Sequence, residues 1–153
     1  MSVTQRLTEL GINWPAVATP VGSYVPATRV GDLIYTSGQT SMVDGVPQYL
    51  GTLGDDLTIE QGQAAARQCA LNALAAAAGA VGGVDNIGRI VKLTVFVASA
   101  PGFHQQPTVA NGASDLCISL FGDDGRHARS AIGVSALPLG CAVEVELIAQ
   151  VAA

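Results

Sequence analysis

Residues 142–151, Ala-Val-Glu-Val-Glu-Leu-Ile-Ala-Gln-Val, alternate with a period of two. That spacing places Val143, Val145, Leu147, Ala149 and Val151 on one side of a strand, with Glu144, Glu146, Ile148 and Gln150 on the other. The first side is apolar without interruption and has to lie under helices. The second mixes two carboxylates with Ile148, so it is neither a plain solvent face nor a plain core face.

Working outward, residues 128–137 (ARSAIGVSAL) read as a strand, and the Pro138-Leu139-Gly140 turn that follows joins it to the last strand as an antiparallel pair. Residues 89–98 (RIVKLTVFVA) are β-branched and apolar on both sides, with Val91, Leu93 and Val95 opposed to Ile90 and Phe96, which predicts a strand covered on both faces. Between these strands, residues 107–121 carry Val109, Ala113, Leu116, Cys117 and Leu120 at helical spacing until the Gly122-Asp123-Asp124-Gly125 stop. A longer helix starts at the Thr58/Gln61 capping box and runs through an alanine-rich stretch to Ala78, with Gly79 as its C-cap. Residues 41–57 read as a loop, and residues 22–40 as a hairpin turning at Gly31-Asp32. Ser2 and Gln5 form another capping box, so residues 1–16 are expected to be a short helical extension. The order β-β-α-β-α-β-β makes residues 1–153 one α+β domain: a mixed sheet, two long helices on one face, and a short N-terminal helix.

Composition narrows the function. Of 153 residues, 49% are apolar and 12% charged, and 7 Lys+Arg against 12 Asp+Glu give a net charge of -5. Disorder is excluded, and so is the basic footprint that nucleic-acid binding requires. A mean hydropathy of +0.40 in so weakly charged a chain implies that part of the surface is hidden in an oligomer. The half-apolar sheet face bearing Ile90, Phe96 and Ile148 is the surface to hide. No apolar run approaches membrane-spanning length and MSVTQRLTEL has no signal-like apolar stretch, so a cytoplasmic protein without membrane contact is expected. Cys69, Cys117 and Cys141 are scattered, as are His104 and His127, which points to neither disulfide nor metal site. Gly79, Gly82 and Gly83 follow a helix and read as cap and turn, not as a phosphate cradle.

Chemistry concentrates in Gly125-Arg126-His127-Ala128-Arg129-Ser130 and in Glu144. A guanidinium at the start of an apolar strand can hold a planar carboxylate through two hydrogen bonds. On residue type alone, Arg129 also fits a solvated strand end or a structural pair with Glu144. Glu144 and Glu146 fit a polar strand face, or a partly desolvated base if a neighbouring subunit covers that face.

Three motifs give the chain a resemblance to the reactive intermediate deaminase (Rid or YjgF) family, extending from about residue 17 to residue 151. Gly22-Ser23-Tyr24-Val25 is similar to the family's Gly-Pro-Tyr segment. Ile34-Tyr35-Thr36-Ser37-Gly38-Gln39 is similar to its Ser-Gly-Gln strand end. Ala128-Arg129-Ser130, Leu137-Pro138 and Val143-Glu144-Val145-Glu146 are similar to its C-terminal signature. The resemblance implies a chorismate mutase-like fold and a homotrimer with sites in the clefts between subunits. It also implies hydrolytic deamination of 2-aminoacrylate or other 2-imino acids to 2-keto acids and ammonia. Arg129 would clamp the substrate carboxylate and Glu144 would direct water, with Tyr24, Ser37, Asn111 and Ala131 lining the pocket and no cofactor or metal. Ala131 stands where commonly described members carry cysteine, and Gly133 replaces a larger polar residue, so a wider, thiol-free pocket is expected, with Arg126 and His127 as further donors beside the clamp. Two other readings accompany this one: a small-molecule-binding regulatory trimer without turnover, and the endoribonuclease or translation-inhibitor activity attached to older family names, which the acidic balance disfavours.

Overall fold

The computed structural model describes all residues, Met1–Ala153. Helix α1 (Val3–Glu9) begins at the expected capping box, with Gln5 N donating to Ser2 Oγ at 3.1 Å and Ser2 N to Gln5 Oε1 at 2.8 Å. The helix is tied down by Thr4 N donating to Asp85 Oδ1 (2.9 Å), by Arg6 Nη1 donating to the Leu120 carbonyl (3.2 Å) and by burial of Leu7.

Strands β1 (Ala27–Val30) and β2 (Leu33–Thr36) form the expected hairpin. The next segment is more ordered than a loop: β3 (Gln39–Thr40) pairs with the last strand, and β4 (Met42–Val43) with β5 (Val46–Pro47) make a second, two-stranded sheet. Leu53 is fully buried there because its backbone bridges to Ala98 and Ala100. Asp56 accepts from Thr52 N and Oγ1, clasping the turn before the next helix.

Helix α2 (Ile59–Val81) opens on the Thr58/Gln61 capping box but runs three residues beyond Ala78. The left-handed cap is Gly82 (φ +83°), whereas Gly79 stays helical, since the chain terminates where φ must turn positive and not at the first glycine it meets. Strand β6 (Ile87–Ala98) follows, then α3 (Gln106–Phe121), β7 (Ala128–Val134) and β8 (Val143–Val151).

The sheet order is β1-β2-β8-β6-β7, with β3 also against β8. This corrects the expected β7–β8 hairpin. Strand β7 runs parallel to β6, and β6 lies between β7 and β8. The α3 crossover returns the chain beside its starting strand, so β6, the longest strand, lies between β7 and β8, and β8 takes the centre of the order. Its face assignment also shifts. Register irregularities at Ile87/Arg89 and Ile90/Lys92 turn Ile90 into the helix-side core with Leu93, Val95 and Val97, while Val91 is exposed. Both long helices cover that side. The opposite face carries Tyr35, Thr94, Phe96, Ser130, Ile132, Glu144, Glu146 and Ile148 and has no cover within the chain. No helix is long and apolar enough to cross a membrane.

Candidate functional site

Arg129 sits on edge strand β7 in register with Leu93, which directs it to the helix side of the sheet. Its guanidinium lies along α3: Nη1 donates to Asn111 Oδ1 (2.9 Å) and to Ser114 Oγ (3.1 Å), and Nη2 to the Pro107 carbonyl (3.2 Å). Asn111 and Ser114 are three residues apart and therefore share one helix face. All three acceptors are neutral, and no carboxylate lies within ion-pairing distance. Three of the five guanidinium hydrogens are committed; Nε–H and one hydrogen of Nη2 remain, enough for a two-pronged hold on a carboxylate.

Behind this clamp, Ser114 Oγ lies 2.9 Å from His127 Nε2, and His127 Nδ1 lies 2.6 Å from the Gly125 carbonyl. His127 is thus linked to Arg129 by hydrogen bonds through Ser114. Arg126 pairs with Asp123 at 3.4 Å on the surface and makes no hydrogen bond to Asn111, Ser114 or the Pro107 carbonyl. Ala131 is half-buried against the core on the same side as Arg129. Gly133 does not widen the pocket: a β-carbon there would lie 2.8 Å from Gln106 Nε2 and 3.3 Å from Ser99 Oγ, so the Gln106 amide occupies that space.

Glu144 occupies the other face of the sheet, in register with Phe96 on one side and Thr40 on the other. Its carboxyl is half-buried and makes no hydrogen bond within the chain. Burial, and secondarily the neighbouring Glu146 charge, raise its pKa above the ordinary carboxylate value. Ser37-Gly38 runs against it. Ser37 Oγ donates to the Val25 carbonyl (2.6 Å) and Ser37 N to the Pro26 carbonyl (2.9 Å), pinning the segment that follows Tyr24. Tyr24 is half-exposed, and its hydroxyl accepts from Val21 N at 3.3 Å.

The sequence-derived residues therefore fall into two groups. Tyr24, Ser37 and Glu144 belong to the β2–β8 side; Asn111, Arg129 and Ala131 belong to the β7–α3 edge. The two groups use opposite faces of the sheet, and β6 separates their strands by two spacings, about 10 Å. A structural Arg129–Glu144 pair across adjacent strands is thereby ruled out. Ser114 and the Pro107 carbonyl escaped sequence reading; the i, i+3 spacing of Asn111 and Ser114 was the available signal. A cavity of about 920 Å³ lies elsewhere, lined by residues of the 10–19 segment such as Trp14 together with Tyr49 and Arg67, and includes none of these residues. The three cysteines are free and buried, and burial pushes the Cys117 thiol up to about 12, which leaves no thiolate nucleophile there at neutral pH.

Residues 4–151 match a family model described as "YjgF/chorismate mutase-like, putative endoribonuclease". The chain is 47% identical over 149 residues to protein TCP17 of Trypanosoma cruzi, covering 97% of this chain and 93% of the relative. It is 29% identical over 140 residues to a 2-iminobutanoate/2-iminopropanoate deaminase of Dermatophagoides farinae, covering 90% and 92%. Among solved structures, protein Atu1372 of Agrobacterium tumefaciens, of unknown function, superposes with a TM-score of 0.90 at 41% identity, covering 98% of this chain and 92% of that one.

Proposed function

The chain belongs to the YjgF/chorismate mutase-like family, and from that premise we propose that it hydrolyses 2-imino acids to 2-keto acids and ammonia, in clefts between the subunits of a homotrimer. The observation that carries this reading is the Arg129 guanidinium, oriented by three neutral acceptors and lacking any anionic partner in its own chain. A half-solvated cation with two donors left over suits a small carboxylate.

The chemistry asks little more of the protein. An imine carbon is already electrophilic, so holding the substrate beside an oriented water supplies most of what is needed. As water attacks, its oxygen bonds to the imine carbon and the C=N π pair moves to nitrogen. The Glu144 carboxylate accepts the water proton and passes it to that nitrogen, giving a carbinolamine. Glu144 then carries the hydroxyl proton to the amino nitrogen, the C–N bond breaks with its electron pair on nitrogen, and ammonia leaves as the keto group forms. A carboxyl with a raised pKa is better matched to this shuttle near neutral pH than an ordinary one. Because Arg129 and Glu144 face opposite sides of the sheet, a substrate touching both would have to lie between two copies.

The test is to generate 2-imino acids in place with an amino-acid oxidase and to follow their decay. Wild-type protein should accelerate hydrolysis and an Arg129→Ala variant should not. A wild type that binds pyruvate but leaves the decay rate unchanged would overturn deamination in favour of the regulatory, non-catalytic reading.

A further inference from the structure

We propose that His127, acting through Ser114, is the positioning residue that fixes the plane of the Arg129 guanidinium; this rests on the reading of Arg129 as the carboxylate holder. The argument starts from Gly125. Its carbonyl can only accept, so the 2.6 Å contact assigns the hydrogen of neutral His127 to Nδ1. Nε2 is then an acceptor, and the 2.9 Å contact with Ser114 Oγ is donated by the serine hydroxyl. With its hydrogen directed to His127, Ser114 presents lone pairs to Arg129 Nη1 at 3.1 Å. The order of donation is Arg129 to Ser114 to His127 Nε2, while His127 Nδ1 donates to Gly125.

Burial makes this direction binding. Ser114 is 9% exposed, so its hydroxyl has little access to water as a substitute partner. Asn111 takes the other Nη1 hydrogen and Pro107 one from Nη2, which leaves the plane of the group set by α3 and one imidazole. None of the three groups that accept from Arg129 carries a charge. The arrangement keeps the full positive charge for a ligand and removes rotational freedom from the side chain before the ligand arrives, the usual means of gaining affinity without a new contact.

The test uses full-length protein carrying ¹⁵N-labelled arginine, with pyruvate as the probe ligand. In the wild type, the Arg129 side-chain NH resonances should be resolved through hindered rotation. His127→Phe keeps the ring's bulk and loses the acceptor; Ser114→Ala removes the relay. Both should collapse those resonances, weaken pyruvate binding about five- to tenfold, as expected for one lost neutral hydrogen bond, and raise KM with kcat little changed. His127→Gln, which restores an acceptor near the Nε2 position, should recover part of each loss. Unchanged Arg129 resonances and unchanged pyruvate affinity in His127→Phe would overturn the assignment, and so would a His127→Gln protein as impaired as His127→Phe. If the resonances respond as stated while wild type neither binds pyruvate nor hydrolyses imino acids, the positioning role stands and the deaminase reading fails.

Discussion

The backbone of Gly38 lies directly against the carboxyl of Glu144: a β-carbon at position 38 would run into Glu144 Oε1 and come within 2.8 Å of its Cδ. The glycine of the Ser37-Gly38-Gln39 strand end is thus explained by the seat it leaves for a side chain on the facing strand. The obstacle is the tip of a flexible side chain, so Gly38→Ala should move Glu144 at small cost in stability. The expected outcome is a kcat lowered roughly tenfold, if Glu144 handles protons, with a melting temperature close to wild type by calorimetry. An unaltered kcat would detach Glu144 from the reaction.

Removing the Glu144 charge should stabilise the fold at neutral pH. Its folded-state pKa is raised, by burial first and Glu146 second. A carboxyl so shifted holds its proton more tightly when folded, so its favourable contribution is complete below the unfolded pKa of about 4.3 and is lost as pH rises through the folded value. Glu144→Gln should therefore melt higher than wild type at pH 7 and converge with it near pH 4. The same variant should lose about a hundredfold in kcat or somewhat less, since free imines hydrolyse readily. Thermal melts across that pH range, beside turnover assays, separate the two effects.

Arg129→Lys keeps the charge and loses the planar fork. An ammonium has three donors on one atom and cannot serve Asn111, Ser114 and the Pro107 carbonyl while offering two more to a ligand. KM should rise roughly 10- to 100-fold, the range for losing a hydrogen bond to a charged group, with kcat changing less. As no carboxylate depends on Arg129 within the chain, any non-additivity in the stability effects of Arg129→Lys and Glu144→Gln in the unliganded protein would report coupling between subunits.

A purely structural prediction concerns Gly112. A β-carbon there would overlap the Gln63 carbonyl oxygen and approach its carbonyl carbon to 2.7 Å, at the contact between α2 and α3. Backbone cannot swing aside as the Glu144 side chain can. Gly112→Ala gains about 1 kcal/mol of helix propensity, yet should still lower the melting temperature, because separating the helices costs typically 1–3 kcal/mol of packing and shifts the helix that carries Asn111 and Ser114.

Several of these relationships are legible in the sequence alone. The Ser2/Gln5 and Thr58/Gln61 capping boxes located two helix starts, since capping is a local hydrogen-bond problem solved within four residues. The alternation in residues 143–151 separated core-facing valines from Glu144 for the same reason. What escaped is non-local. Nothing in residues 128–134 says that their partner is β6 and not β8, because the α3 crossover decides it. The irregularity at Ile90/Lys92 exchanges the faces of Ile90 and Val91 without a glycine or proline to announce it. Ser114 looks like any helical serine until His127 and Arg129 arrive on either side of it. Once those pairings are known, the separation of Arg129 from Glu144 follows.

That separation yields the sharpest prediction about assembly. The uncovered sheet face bears Phe96, Ile132 and Ile148 beside Glu144, while Ile90, expected there, is in the core. Apolar surface of this kind, with a two-group site split between a sheet face and a sheet edge, favours closure by a second copy. Light scattering should report three times the chain mass at micromolar concentration; a stable monomer would remove the composite site. If each site draws Arg129 from one subunit and Glu144 from its neighbour, two inactive variants should complement each other. Arg129→Ala and Glu144→Gln chains, unfolded together in equal amounts and refolded, would assort at random. A site is then intact when one subunit keeps its arginine and the next keeps its glutamate, each with a chance of one half, so about one quarter of wild-type activity should return. Separately refolded variants, mixed afterwards, should show none until subunits exchange. Were both residues drawn from one subunit, every site in the mixture would lack one of them, and co-refolding would restore nothing.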